Sequence, residues 1–253
     1  MAALSFPWPA ALLLLPLLAG CAASVPPAGR IAAPAEAAAA EPPPRARRPA
    51  AATVLAGLRS ELGPSCFATG AAIHLGQGRF VTAAHLLDGS QGLRRRCPGL
   101  GGSLGKPALL NFQGRDQRAR LIRLGRADLR AGLGTYYVGG RDLALLQLDV
   151  PPRGAPGLPL CAGPPHPGER VLVLTPYREQ PAAISGLMRE ANPLHGGYAE
   201  MTLRLEPGES GGAVLDAEGG CLLGLVSHRQ EGPPGERTRI VPAPVLEAFL
   251  RGQ

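Results

Sequence analysis

Along the first fifty residues the apolar side chains gather in one block, Ala10 to Ala19, and give way to an Ala/Pro-rich stretch over residues 22–52. Little in that stretch can pack, so it predicts a semi-extended tether, with Pro42-Pro43-Pro44 favouring polyproline II. Beyond it the texture changes. Ala68 to Leu75 and Arg79 to Leu86 are apolar runs around Gly76-Gln77-Gly78, which predicts a β-hairpin. Pro107 to Phe112 and Gln117 to Leu124 predict a second strand pair about Gln113-Gly114-Arg115, with Arg118, Arg120 and Arg123 alternating toward water. Arg94 to Gly105 reads as a surface loop and residues 125–140 as another. Further strands are expected from Leu143 to Leu148, Gly168 to Leu174 and Cys221 to Val226, and a terminal helix from Val245 to Leu250 after Pro242. The arginine strip reads as a solvated strand face in preference to a contact for anionic lipid headgroups.

Composition narrows this picture. Glycine (35) and proline (28) make up a quarter of the 253 residues, which excludes a helical bundle or coiled coil and suits an all-β domain rich in turns. Aromatic residues are only 4%, and the single Trp, Trp8, lies in the leader, so the core must come from Leu, Val, Ala and Ile. The charge of +7 is carried almost wholly by scattered arginines, without a nucleic-acid-binding motif, so nucleic acid is not an expected partner. The chain after the leader is long enough for one substantial core or two small packed barrels.

The Ala10–Ala19 block is too short to span a bilayer and has the length of a signal-peptide core. It ends in Leu18-Ala19-Gly20-Cys21, which resembles the bacterial lipobox. That resemblance implies a signal peptide over residues 1–20 and a diacylglycerol on Cys21. It also implies a lipid-anchored protein facing the periplasm, with Ala22 favouring the outer membrane. The tether would span residues 21–52 and the folded part residues 53–253.

Three segments carry chemistry. Thr82-Ala83-Ala84-His85 closes the first hairpin, Asp142 precedes an apolar strand, and Ser210 sits in Gly208-Glu209-Ser210-Gly211-Gly212. A serine hydroxyl is a poor nucleophile until an imidazole can take its proton. A carboxylate in turn fixes the imidazole's tautomer and stabilises its cation. These residues suggest Ser210 as nucleophile, His85 as general base and then acid, and Asp142 as the orienting carboxylate. The glycines permit a tight turn in which the Gly208 and Ser210 amides converge as an oxyanion hole.

Together the segments resemble, in kind and in chain order, those of the trypsin-like (chymotrypsin-fold) serine proteases, over about residues 65–250. The resemblance implies two packed six-stranded antiparallel β-barrels, about residues 53–155 and 156–253, with a short C-terminal helix. The active site would lie between them. It implies a serine endopeptidase acting on protein or peptide substrates through an acyl-enzyme, with no cofactor and no metal. Gly208-x-Ser210-x-Gly212 also satisfies the α/β-hydrolase elbow, but there the acid and histidine follow the serine. Downstream of Ser210 the only His is His228, eighteen residues on with Asp216 between, too close for that fold.

Glu209 stands where animal digestive members carry an Asp that receives a new amino terminus. Nothing here resembles an activation site, so the chain is similar to bacterial members that fold directly into the active form, which leaves Glu209 free to lie outside such a pocket. Ser227 matches the serine that hydrogen-bonds the triad carboxylate. His228 and Arg229 would border the substrate pocket, and Arg204 lies where pocket charge is often set. Cationic lining would favour acidic or polar side chains, although the reading with both arginines in solvent is slightly preferred. His74, His166 and His195 have no motif around them.

After Cys21, four cysteines remain, and none has metal-ligand spacing. In an oxidising compartment they predict two disulfides, of three possible pairings; Cys66–Cys97 with Cys161–Cys221 keeps each within one barrel. With 43 residues after Ser210, no appended peptide-binding domain is expected. The contrasting class is a catalytically silent lipoprotein on the same fold, a protein-binding module in which Glu209 or a loop closes the oxyanion hole.

Overall fold

The computed structural model describes residues 51–63, 65–88, 106–125, 128–130, 134–187, 196–217, 220–230 and 237–252. The expected signal peptide, Cys21, most of the tether, the loop bearing Cys97, and His195 lie outside these residues.

Among the described residues fourteen strands follow one another: β1 (Leu55–Gly63), β2 (Cys66–Gly76), β3 (Arg79–Thr82), β4 (Ala108–Phe112), β5 (Arg115–Leu124), β6 (Asp128–Arg130) and β7 (Gly134–Tyr136). Then come β8 (Ala144–Leu148), β9 (Arg170–Leu174), β10 (Glu179–Leu187), β11 (Ala199–Met201), β12 (Ala213–Asp216), β13 (Leu222–Gln230) and β14 (Arg237–Pro242). They close into two antiparallel barrels, β1-β2-β3-β8-β5-β4 and β10-β11-β14-β13-β12-β9, with β6 and β7 as a separate pair. Closure leaves neither barrel with an open strand edge.

Alternation sets the faces. In β1, Leu58, Ser60 and Leu62 are buried while Arg59 and Glu61 face water. The first barrel fills with Ile73, Phe80, Leu110, Phe112, Leu146 and Leu148, and Phe80 meets Phe112 edge-on at 5.1 Å between centroids. His74 packs against both of those rings, fully buried, and burial pushes its pKa below the ordinary value. It is therefore a neutral core imidazole. The second barrel holds Val171, Val173, Ile184, Met201, Val214, Val226 and Ile240.

Both expected hairpins turn on Gln-Gly pairs at positive φ, Gln77 (55°) with Gly78 (70°) and Gln113 (53°) with Gly114 (73°), as a type I′ turn requires. Such a tight turn lets pairing begin at once, with Phe112 opposite Arg115, so β5 starts two residues earlier than the alternation suggests. Arg118 and Arg120 are exposed as expected, but Arg123 is not. A register shift between Leu121 and Arg123 turns it toward the C-terminal helix, where its Nη1 donates to the Phe249 and Leu250 carbonyls. Residues 125–140 hold more than a loop: the β6–β7 pair and a 3-10 turn at Val138–Gly140. The C-terminal helix runs from Ala243 to Arg251, buries Ala243, Leu246 and Phe249, and ends at Gly252 with φ 90°.

Cys161 and Cys221 form a disulfide, and Cys66 is also disulfide-bonded. The Cys161–Cys221 bridge spans 60 residues and fastens the segment entering the second barrel to the start of β13. Closing a loop of that length is expected to contribute about 4 kcal/mol. The double variant Cys161→Ser/Cys221→Ser should therefore lose about that amount in a urea unfolding curve; an unchanged midpoint would remove the bridge from the stabilising set.

Candidate active site

His85 is placed by local packing. β3 ends at Thr82, the fully buried Ala83 and Ala84 leave no room for larger side chains, and a single helical turn, His85–Asp88, begins at once. Ser60 Oγ donates to the Leu86 carbonyl and pins that turn to β1. Asp142 follows the 3-10 turn and is wholly buried. Its carboxylate accepts three hydrogen bonds. His85 N reaches Oδ1 at 3.0 Å, His85 Nδ1 reaches Oδ2 at 2.8 Å, and Ser227 Oγ donates to Oδ2.

The electrostatics follow from that enclosure. For Asp142 burial favours the neutral acid, but the His85 charge and the hydrogen bonds outweigh it and bring the pKa down to about 2. For His85 burial opposes the cation, yet the Asp142 carboxylate, with a smaller contribution from Asp88, holds the pKa above the ordinary histidine value. With Nδ1–H committed to Asp142, Nε2 is left as the ring's acceptor.

Ser210 is held from both barrels. Its carbonyl accepts from Ala71 N on β2 at 2.8 Å, and the next amide, Gly211 N, donates to Val226 O on β13 at 2.8 Å. Ala71 follows Gly70, whose α-carbon faces the Leu86 side chain beside His85, and Val226 precedes Ser227, which binds Asp142. The backbone thus gathers the three residues at the junction of the barrels. Among the described residues, no hydrogen bond joins Ser210 Oγ to His85. Gly211 has φ 82°, and a Cβ there would collide with the Ala71 carbonyl and Thr82 Oγ1, so the close approach of β2 requires glycine.

The segment before Ser210 is a β-turn. Glu209 N donates to Glu206 O at 3.1 Å, with Pro207 and Gly208 between them and Gly208 at φ 97°. Proline followed by a positive-φ glycine is the signature of a type II turn. Among the described residues the Gly208 and Ser210 amides have no hydrogen-bond partner.

Glu209 is enclosed, not displaced. It is 1% exposed, and its carboxylate accepts from Arg178 Nε (2.8 Å), Arg178 Nη2 (2.7 Å), Thr175 Oγ1 (2.9 Å) and Glu206 N (2.6 Å). Burial alone would raise its pKa, but Arg178 and these other donors hold it below the usual carboxylate range. Neither Arg178 nor Thr175 is marked by any motif; the one available signal was that an acid next to Ser210, once buried, must find a cation.

The residues expected around a substrate pocket are brought to the same end of the second barrel. Ser227 binds Asp142 and lies 2.8 Å from His228 Nδ1, and His228 packs edge-on against Tyr198. Tyr198 had no sequence signal; its hydroxyl donates to the Tyr137 carbonyl. Arg204 and Arg229 do not stand alone as cations. Both reach Glu206, at 3.0 Å and 3.7 Å, so one carboxylate lies between two guanidiniums. Arg204 is largely exposed and Arg229 mostly covered. Among the described residues no cluster of His, Cys, Asp or Glu could hold a metal ion, and no helix is long and apolar enough to cross a membrane.

The family profile described as trypsin-like peptidase domain matches residues 68–225. Comparison with curated proteins finds no match. Solved structures with the same fold include the Rv3671c protease from M. tuberculosis in its active form, with a TM-score of 0.57 at 20% identity over 79% of this chain and 81% of that one. The serine endoprotease from Yersinia pestis gives 0.53 at 19% identity, over 79% and 62% of the two chains. The HtrA-type protease AlgW, solved with a decapeptide, gives 0.51 at 16%, over 79% and 65%.

Proposed function

Because the chain belongs to the trypsin-like peptidase family, whose profile covers most of its two barrels, we propose that it is a serine endopeptidase using His85, Asp142 and Ser210. The observation that carries this reading is the Asp142 carboxylate, wholly buried and accepting from both nitrogens His85 presents to it and from Ser227. That arrangement costs burial of a charge and serves one evident end, an imidazole fixed with Nε2 as acceptor.

His85 Nε2 takes the Ser210 proton as Oγ adds to the scissile carbonyl. The tetrahedral oxyanion then receives the Gly208 and Ser210 amides. The same nitrogen returns the proton to the leaving amine, the acyl-enzyme forms, and a water activated by His85 releases the acid. No cofactor enters any step. The silent-binder alternative expects Glu209 or a loop to close the anion site; against its Glu209 form, that carboxylate is committed to Arg178 and Thr175. We further propose lipidation at Cys21 and a periplasm-facing location on the envelope, on the strength of the sequence alone.

Labelling by a fluorophosphonate probe tests the enzyme reading: folded wild type should react, and failure to react would overturn it. A pH profile adds a second check. His85 must be neutral to act as base, and its pKa lies above the ordinary value of 6.5, so kcat/KM should rise with pH through a midpoint above 6.5. A midpoint below 6.5 would mean that Asp142 does not stabilise the imidazolium.

A further inference from the structure

We propose that the open cleft between the end of β5, the 3-10 turn before Asp142 and the C-terminal helix binds a small carboxylate carried on an apolar chain, with Arg141 as its anchor. None of the residues lining this cleft belongs to the proposed triad or oxyanion hole, so the site is separate from the one a peptide substrate would occupy. The inference goes beyond the peptidase reading and does not depend on it.

The cleft has a volume of about 530 Å³, inside the range of roughly 300–1,000 Å³ usual for small-molecule sites. One wall is the helix. Ala243, Leu246 and Phe249 point into the core, but Pro244, Val245 and Ala248 recur at helical spacing beside them and are only half-buried. These three line the cleft, and half-buried Leu124 at the end of β5 continues the same apolar surface. The helix therefore keeps a second apolar strip, next to the one that packs, with no side chain covering it fully.

The other wall is cationic. Arg123 and Arg141 both line the cleft, and among the described residues no acidic side chain does. The two guanidiniums differ in what they already hold. Arg123 Nη1 donates to the Phe249 and Leu250 carbonyls and so offsets the negative end of the helix. Arg141 is exposed, and among the described residues it makes no hydrogen bond or ion pair. Glu247, the one acid of the helix, pairs with Arg251 at 3.0 Å and stands outside the cleft.

That pairing of surfaces selects the ligand. A carboxylate matches the planar fork of an arginine with two parallel N–H donors, while an apolar chain behind it leaves water for the helix strip. A neutral apolar molecule would leave the guanidinium without its anion, and a bare anion would leave the strip wet, so both halves are needed. The anchor's backbone is firmly seated. Leu143 N donates to the Arg141 carbonyl at 2.8 Å, and Gly125 N donates to the Leu143 carbonyl at 2.6 Å, which ties the segment to the end of β5. Gly125 approaches so closely that a Cβ there would strike the Arg141 carbonyl. Val245 packs against the same segment, its Cγ1 3.5 Å from where a Cβ on Gly140 would stand. Apolar wall and anchor are thus already held together, and little backbone has to be ordered on binding.

The test is a ligand-detected NMR titration of the full chain, with circular dichroism as the fold control. Two sources of the same chemistry are compared, octanoate and the peptide acid acetyl-Ala-Ala-Leu. Octan-1-ol and the amide of that peptide serve as uncharged counterparts, and acetate as the anion without a chain. At least one acid is expected to bind with a Kd of about 1 mM or tighter, and at least about tenfold more tightly than its uncharged counterpart and than acetate. Binding of octanoate alone assigns the site to fatty acids, binding of the peptide acid alone to peptide C-termini, and binding of both to the shared chemistry. Arg141→Ala should weaken that binding by about 10- to 100-fold, and Arg141→Lys by less, since it keeps the charge but not the fork. Ala248→Glu, which sets a carboxylate on the apolar wall, should abolish it. Should Arg141→Ala not fold, the folded Arg141→Lys and Ala248→Glu proteins decide. Absence of binding by both acids, equal binding of acid and uncharged counterpart, or wild-type affinity in the folded variants overturns the proposal. The readout needs no turnover, so a wild type that fails to label with fluorophosphonate overturns the peptidase reading and leaves this inference standing.

Discussion

Ser210→Ala is expected to abolish fluorophosphonate labelling and to lower kcat for a capped peptide substrate by about 10⁶-fold, or about 8 kcal/mol of transition-state stabilisation. The size follows from what remains. Without Oγ there is no acyl-enzyme, His85 has no serine proton to take and Asp142 no imidazolium to stabilise, so their contribution disappears with the nucleophile's. What survives is positioning and the amide pair at Gly208 and Ser210, which act on any anion formed at that spot. A residual rate well above the uncatalysed reaction is therefore expected even in the variant. The substitution removes one oxygen from a partly exposed side chain whose backbone bonds to Ala71 and, through Gly211, to Val226 are untouched. The melting temperature should barely move. A folded Ser210→Ala protein that still labels would place the nucleophile elsewhere.

Asp142→Asn carries the second large effect, about 10⁴-fold in kcat. Three donors aim at this carboxylate: the His85 amide, His85 Nδ1–H and Ser227 Oγ–H. An amide offers one acceptor oxygen and one NH₂. If its oxygen faces the His85 amide, its NH₂ faces Nδ1 and forces the proton onto Nε2, where the base should be. If it is flipped, NH₂ meets the His85 N–H donor head-on. Either orientation fails, one by tautomer and the other by leaving donors unpaired around a fully buried side chain. Steady-state kinetics on the folded variant check this; a loss below tenfold would show that His85 keeps its tautomer without the carboxylate.

What was legible in the sequence was whatever is encoded within a few residues. The Gln-Gly turns, the apolar strands behind His85 and Asp142, and the glycines around Ser210 are local statements, and the two barrels were what the resemblance carried by those segments implied. The double closure and the disulfide between Cys161 and Cys221 agree with that reading. Illegible were features decided by partners far along the chain. Arg178 meets Glu209 across 31 residues, and no spacing rule links a turn after β9 to the nucleophile's own turn. Arg123 was misjudged because a register shift in β5 breaks the alternation on which its outward placement rested. Arg204 and Arg229 were weighed only between solvent, the slightly preferred reading, and a substrate pocket, because their shared partner Glu206, two residues from one and 23 from the other, could not be weighed until the fold brought them together.

The paired bonds at Ser210 and Gly211 have a wider meaning. One peptide unit is stitched to β2 on one side and to β13 on the other, so Ser210 rides on the seam where the two barrels meet. Close-packed interiors transmit small displacements instead of absorbing them. A methylene lost deep in either barrel is then felt as a shift of the nucleophile, and an ångström there is enough to cost about 10²-fold in rate. Turnover is in this sense a strain gauge for both cores. Selection acting on activity alone would police the packing of the whole molecule through a single peptide bond.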